Sequence, residues 1–299
     1  MTTTLDYQPD FMLARPIFRA DELDRLNILA AEYPLHRWVG NSCAFENAAL
    51  EDAYVSCKIE GNAYTLTEAE VLLKYGLTPG GKHINDALKI KNTHREFEDL
   101  CLSRHAKDYL LSKQFLFGVH EAVISNLFGR EHTAKIREVP VGVRGIRYVP
   151  PMGLRFLETE LERLQKTASD IENVFERAVY VHLNLAYLKV FSDGNRRTAR
   201  LMETAILTDA GCMPLLMKEE DIGEYRRAML EYYETGSCAP YKKLFLRRYQ
   251  NGIDELLGRT AEQQAAQKAA GELIRKKQPI TSAAPHMELT HSAASAIKR

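Results

Sequence analysis

The sequence predicts an all-α protein, a helical bundle carrying one small β-hairpin. Three observations lead there. Apolar residues recur at helical spacing, as in Ile171, Val174, Phe175, Ala178, Val179, Leu185 and Leu188. Stop signals such as Gly211 and Gly236-Ser237 punctuate such runs. Only residues 139–149 alternate apolar with other side chains, around Arg144-Gly145, and they read as a short hairpin closed by Pro150-Pro151. Isolated hairpins are marginal in water, so this one must lean on the helices.

Three regions follow from the punctuation. Residues 1–112 read as an N-terminal helical region, with a helix over 51–61 that ends at Gly61-Asn62 and a turn at Leu77-Thr78-Pro79-Gly80-Gly81. Residues 113–250 read as the core domain, with helices over 115–128, 154–168, 171–188, 198–210 and 221–234. After Gln250 the composition shifts. Residues 251–277, rich in Ala, Gln, Glu and Lys, read as an exposed helix, and residues 278–299 as a disordered tail with little to bury.

Composition excludes several classes of function. A chain of 299 residues suffices for one large or two small domains with a sizeable core. Lysine plus arginine equals aspartate plus glutamate at 40 each, so no global field draws in nucleic acid or a membrane surface. Cys43, Cys57, Cys101, Cys212 and Cys238 are scattered and odd in number, which disfavours disulfides and zinc and fits a reducing compartment. No apolar run reaches membrane-spanning length and residues 1–10 lack a signal-peptide pattern, so the expected location is cytoplasmic.

The chemistry concentrates in residues 189–200, Lys-Val-Phe-Ser-Asp-Gly-Asn-Arg-Arg-Thr-Ala-Arg, between two of the helices. Ser192-Asp193-Gly194-Asn195 is a tight turn that delivers the chain into a helix N-terminus. Such a terminus exposes unpaired N–H groups and a partial positive charge. Arg196, Arg197 and Arg200 nevertheless crowd its first turns. That concentration of donors and positive charge lacks balance until an anion arrives, and phosphate fits donors and fork geometry alike. Asp193 is placed to hold a magnesium ion bridging phosphate oxygens. The plainer reading is a solvated, arginine-rich helix capped by Asp193 or Asn195. The whole string, framed by two helices, favours a nucleotide-phosphate site.

The string resembles the Fic (Fido) signature, His-x-Phe-x-Asp/Glu-Gly-Asn-Gly-Arg-x-x-Arg, and the resemblance extends over residues 45–250. It implies a Fic-fold helical bundle and transfer of AMP from ATP to a Ser, Thr or Tyr hydroxyl of a target protein. Asp193 would then hold magnesium, Gly194 and Asn195 would line the anion hole, Arg197 would orient the phosphate chain, and Arg200 would grip the γ-phosphate. Phe191 would seat the loop in the core. Two positions depart. Arg196 stands where many members have the second glycine. Members with Lys or Arg there include the Doc kinases, which leaves phosphoryl transfer open.

The larger departure is Lys189, at the position of the general-base histidine. A histidine there titrates near operating pH, whereas a solvated lysine is almost wholly protonated. Nearby arginines and apolar walls would lower the lysine pKa, and bound phosphates would raise it, so the sequence leaves the sign open. His182, two helical turns earlier and about 10 Å away along the axis, is too distant to substitute and reads as a core or partner-facing histidine. Three outcomes follow: an ATP-binding pseudoenzyme, a desolvated base supporting slow transfer, or a general acid for hydrolysis of an AMP–protein bond. Weak or absent transferase activity ranks first, whether Lys189 is natural or engineered.

Upstream, Ser56-Cys57-Lys58-Ile59-Glu60-Gly61 resembles the family's inhibitory motif, Ser/Thr-x-x-x-Glu-Gly/Asn, in the N-terminal arrangement called class II. Ser56 and Glu60 share one helix face. The resemblance implies that Glu60 pairs with Arg200 and takes the place of the γ-phosphate. The hairpin corresponds to the family's flap, which adds the target as a strand, so Val143, Arg144, Gly145 and Ile146 would dock it. Tyr225, on the helix that borders the nucleobase in the family, would touch adenine; packing against Met229 at helical spacing is the alternative. The implied ligands are ATP and magnesium and the implied partner an unidentified protein, with no nucleic acid and no membrane. A homo-oligomer stays open.

Overall fold

The computed structural model describes residues 4–127, 135–142 and 147–258. The chain up to Leu257 forms one compact unit, with no break near residue 112. Its helices are α1 (Ala20–Glu32), α2 (Leu35–Val39), α3 (Ser42–Ile59), α4 (Leu66–Tyr75), α5 (Ile84–Leu102), α6 (Lys107–Leu110), α7 (Lys113–Ile124), α8 (Leu154–Asp170), α9 (Val174–Leu188), α10 (Asn195–Asp209), α11 (Ile222–Thr235) and α12 (Ala239–Leu256).

Local chemistry explains where several of them start. The Asn41 side chain accepts from Ala44 N, so α3 begins well before residue 51. Thr65 and Glu68 form a capping box on α4. The Asn173 carboxamide accepts from the amides of both Phe175 and Glu176 and opens α9. Helix α12 runs through residue 250 without interruption. Residues 259–299, which include most of the segment read as a separate helix and tail, lie outside the described residues.

Helix α9 is the axis of the bundle. Phe175 and every residue from Arg177 to Leu188 are buried, so no face of it meets solvent. A helix apolar or satisfied all round can only be stable inside a shell of other helices. Helices α8, α10 and α11 pack on it, α5 and α7 pack on α10, and α3 packs on α5. Helix α10 is buried continuously from Arg197 to Thr208, which brings the arginines of the signature into the interior.

The β structure differs from the antiparallel hairpin expected over 139–149. Among the described residues, β2 (Tyr148–Val149) pairs in parallel with β1 (Leu5–Asp6), and 139–142 form no strand. The expected docking residues Val143, Arg144, Gly145 and Ile146 lie outside the described residues. Aromatic packing accounts for the pairing. Tyr148 stacks on Tyr187 at 4.6 Å and donates its hydroxyl to the Tyr187 carbonyl. Tyr7 and Phe11 stack on the same ring at 5.1 and 5.6 Å, and Gln8 N donates to its hydroxyl. Both strands are thereby fastened to the last turn of α9, directly before Lys189. Among the described residues, no helix is long and apolar enough to cross a membrane.

Candidate functional site

The loop between α9 and α10 is held from three sides. Lys189 ends α9 in the left-handed region (φ 51, ψ 60) while its N–H still bonds Leu185 O at 3.1 Å. That conformation costs a non-glycine residue about 1 kcal/mol and persists only where the surroundings impose it. Here Arg137 imposes it: its Nε donates to Lys189 O at 2.6 Å and its backbone N to Val190 O at 2.9 Å. Phe191 is buried against the His120 ring, stacked at 3.6 Å, and edge-on to Phe117 at 5.4 Å. The Asn195 carboxamide clips both backbone groups of Phe191, accepting from its N at 2.9 Å and donating to its O at 2.7 Å.

Gly194 has φ +75, and a Cβ there would lie 3.0 Å from Ile124 Cγ2 and 3.3 Å from Val123 Cγ1. Both the backbone angle and the close approach of α7 require glycine. His120, also on α7, lies with Nε2 3.1 Å from Asp193 O. Burial pushes its pKa down to about 4, against the raising effect of that hydrogen bond and with help from Arg197. The ring is therefore neutral and donates Nε2–H to the carbonyl.

Arg197 and Arg200 project from α10 toward α3. Arg197, fully buried, donates Nε to Glu60 Oε2 at 2.8 Å, with Val123 O at 3.3 Å and Asp193 Oδ2 at 3.4 Å from its terminal nitrogens. Arg200 donates Nε to Ser56 Oγ at 2.9 Å, a terminal nitrogen to Ser56 O at 2.8 Å and the other to Tyr225 Oη at 3.2 Å. Glu60 Oε1 is 3.5 Å from Arg200. Glu60 thus stands between both guanidinium groups, with Arg197 closer than the Arg200 named from the motif. Burial alone would raise its carboxyl pKa; Arg197, Arg200 and Arg196 outweigh burial and hold it below the usual range. It is an anion in an anion site.

Glu60 is the C-cap of α3, and that helix end is itself tethered. Arg226 on α11 donates to Ile59 O at 2.8 and 3.1 Å, a carbonyl that α3 leaves unpaired, and at 3.0 Å to Lys58 O, which also accepts from Gly61 N.

Lys189 is only 6% exposed, and its Nζ makes no hydrogen bond or ion pair among the described residues. Its Nζ lies 5.6 Å from the centre of the Tyr233 ring. Burial, then the charges of Arg196 and Arg137, push its pKa down to about 7, while Glu60 and Asp193 oppose them. The sign left open by the sequence is therefore downward. Amine and ammonium forms coexist near neutral pH, which no solvated lysine does.

Residues 110–207 match the protein-family model of the Fic/DOC family. They belong to that family. Curated relatives include the protein adenylyltransferase fic-1 of Caenorhabditis briggsae, 26% identical over 77% of this chain and 44% of its own length. Another is the protein adenylyltransferase Fic of Nematostella vectensis, 25% identical over 80% and 55%. The chain spans about half the length of these curated relatives. Among solved structures, a Fic-1 fragment from C. elegans aligns with a TM-score of 0.66 at 21% identity, covering 79% of this chain and 70% of its own. A Fic family protein from Desulfovibrio desulfuricans G20 aligns at 0.68 and 17%, covering 82% and 77%. The Fic fold of the chain is established by these likenesses together with its helical architecture.

The structure brings Lys189, Asp193, Gly194, Asn195, Arg196, Arg197 and Arg200 of the matched segment together with Ser56, Glu60 and Tyr225 around one loop. Arg196 is partly exposed and makes no ion pair among the described residues. Tyr225 is fully buried, so its ring presents no open face to a base. Three supports were absent from the sequence reading: His120, Arg137 and Arg226. The first two are 73 and 52 residues from the groups they contact, and no local pattern marks them.

Proposed function

We propose that this protein is an autoinhibited adenylyltransferase that moves AMP from ATP to a hydroxyl of another protein. The observation that carries the reading is Glu60, a carboxylate of the chain itself bound between two buried arginines at a helix N-terminus. A site that accommodates this internal anion has the donors a triphosphate would use. The names of the relatives supply the adenylyl chemistry.

In this reading ATP displaces Glu60, and Arg197 and Arg200 turn to the phosphate chain, with Gly194, Asn195 and Arg196 N–H groups and the Arg196 side chain completing the cradle. The target hydroxyl attacks the α-phosphorus, its proton passes to the neutral Lys189 amine, and the bond to pyrophosphate breaks. Burial, with the charges of Arg196 and Arg137, makes the amine form of Lys189 available near neutral pH before substrate arrives. Lys189 is then a desolvated base and not a dead one. Asp193 fits a magnesium ion: its side chain is 44% exposed, and one carboxylate plus phosphate oxygens is a usual magnesium ligand set. No group of three or more potential metal-ligating side chains exists among the described residues, so the phosphates must supply the rest. When bound, the ion neutralises charge on those phosphates.

The test uses ATP labelled at the α or the γ position with the full chain and its Glu60→Gly and Lys189→Ala variants. The expected result is α label on protein, increased by Glu60→Gly and abolished by Lys189→Ala. Transfer of γ label would make the protein a kinase, and tight ATP binding with no transfer would make it a nucleotide-operated switch.

A further inference from the structure

Behind Arg200 lies a buried polar cluster that the proposed chemistry does not touch, drawn from four helices. Glu203 on α10 has Oε2 2.7 Å from His182 Nδ1 on α9. His182 Nε2 is 3.0 Å from the Tyr225 hydroxyl on α11, and that hydroxyl is 3.2 Å from Arg200. Tyr241 on α12 contacts Glu203 Oε1 and Oε2 at 3.0 and 2.8 Å and His182 Nδ1 at 2.8 Å. His182, Tyr225 and Tyr241 are fully buried and Glu203 is 3% exposed.

Counting protons fixes the direction of every bond. Arg200 is always a donor, so the Tyr225 oxygen accepts from it. The Tyr225 proton then has one acceptor within reach, His182 Nε2, which must carry a lone pair. His182 therefore bears its proton on Nδ1 and gives it to Glu203, while Tyr241 donates to the same carboxylate. The reverse tautomer would set a nitrogen lone pair against a carboxylate oxygen at 2.7 Å and leave the Tyr225 proton buried without a partner. A second proton on His182 would strand the Tyr225 hydrogen in the same way. One consistent chain remains, Arg200 to Tyr225 to His182 to Glu203, with a cation at one end and a carboxylate at the other.

We infer that Glu203, His182 and Tyr225 form a positioning relay that aims the Arg200 guanidinium at the terminal phosphate of ATP. The inference rests on the phosphate reading of the site. Its distinguishing content is that Tyr225 acts through Arg200 and not by touching the base. Two sets of partners share Arg200: Ser56 on the inhibitory helix takes Nε and one terminal nitrogen, and Tyr225 takes the other. When Glu60 is displaced, the contact from α11 remains. Because hydrogen bonds in such a chain polarise one another, the carboxylate strengthens the tyrosine oxygen as an acceptor from a distance.

The experiment titrates the full-length chain carrying Glu60→Gly with magnesium ATP and, separately, magnesium ADP, while thermal unfolding followed by circular dichroism verifies folding. Tyr225→Phe is expected to weaken ATP about tenfold and to leave ADP within about twofold, since only ATP has the phosphate Arg200 grips. Added to Arg200→Ala, it should change ATP affinity by less than about twofold. Glu203→Gln should weaken ATP about threefold with the same selectivity, and it carries the test alone if Tyr225→Phe does not fold. Equal loss for ATP and ADP, no loss for either, or an undiminished loss on top of Arg200→Ala overturns the relay. A Glu60→Gly parent that binds neither nucleotide overturns the phosphate reading itself and the relay with it, whereas a parent that binds ATP puts only the relay at stake.

Discussion

At the rear of the site, Arg197 and Arg200 are fully engaged by Glu60, Ser56, Val123, Asp193 and Tyr225. At the front, Lys189 and Arg196 have no ion-pair partner among the described residues, and the Asp193 carboxylate holds only a long contact to Arg197. The two halves are adjoining stretches of the same loop and helix, so the contrast is one of partners and not of location. A rear satisfied by intramolecular groups must exchange one anion for another before it binds anything. A front with unused donors and a lysine whose amine form is populated near neutral pH has nothing to exchange and is poised for chemistry. Inhibition and reaction are thus assigned to different side chains, and substitutions should separate them.

The largest separation is expected at the front. Lys189→Ala should lower transfer by at least about 10²-fold while leaving the Kd for ATP within about twofold, because a general base contributes to the reacting state and not to phosphate binding. An equal fall in ATP affinity would merge the two halves. The pH dependence sharpens the point. Burial and the neighbouring arginines lower the Lys189 pKa to about 7, so the amine is lost as pH falls through that value. The kcat/KM profile should therefore decline on the acid side of about pH 7, tenfold per pH unit once well below it. Bound phosphates favour the ammonium, so the corresponding limb in kcat should lie at higher pH. A profile flat from pH 6 to 9, or one unchanged in Lys189→His, would remove Lys189 from the proton transfer.

At the rear, Glu60→Gly should tighten ATP binding by about tenfold or more, since ATP no longer competes with a charge-assisted pair. The same change should destabilise the ligand-free protein by about 3 kcal/mol, because Arg197 is buried and loses its nearest carboxylate. Calorimetry and thermal unfolding read the two quantities on one sample. Tighter binding without a fall in stability would mean that the carboxylate blocks the site without satisfying it.

How much of this was legible in the sequence follows from how local each feature is. The turn and its anion cradle were readable because Asp193, Gly194, Asn195 and the arginines are contiguous and their effect comes from helix geometry. The helical architecture was readable from periodicity. Glu60 was readable by spacing, but its closer partner was not: a C-cap residue leaves the helix path, and which guanidinium it meets depends on how α3 lies on α10. The Lys189 pKa depends first on burial, then on the nearby Arg196, with Glu60 opposing and Arg137, 52 positions away, adding to it; burial comes from tertiary packing, so no local pattern could give its sign. The parallel pairing of β1 with β2 joins two-residue strands from distant parts of the chain, and two residues carry no periodicity.

The smallest effect tests whether the rear is held as a unit or by Glu60 alone. Arg226 is exposed, yet its guanidinium reaches the carbonyls of Lys58 and Ile59 at the end of α3. A cation there complements the negative end of the helix and fixes the residue that follows, which is Glu60. Exposed ionic contacts contribute little individually, so Arg226→Ala should tighten ATP binding only about threefold. The decisive comparison is the same substitution in the Glu60→Gly background, where no carboxylate is left to misplace. Equal gains in both backgrounds would mean that Arg226 hinders ATP directly, by bulk or by holding α11 in place. A gain that vanishes with Glu60 would mean that α11 acts on the site by holding the inhibitory carboxylate in place, a contact separate from its grip on Arg200 through Tyr225.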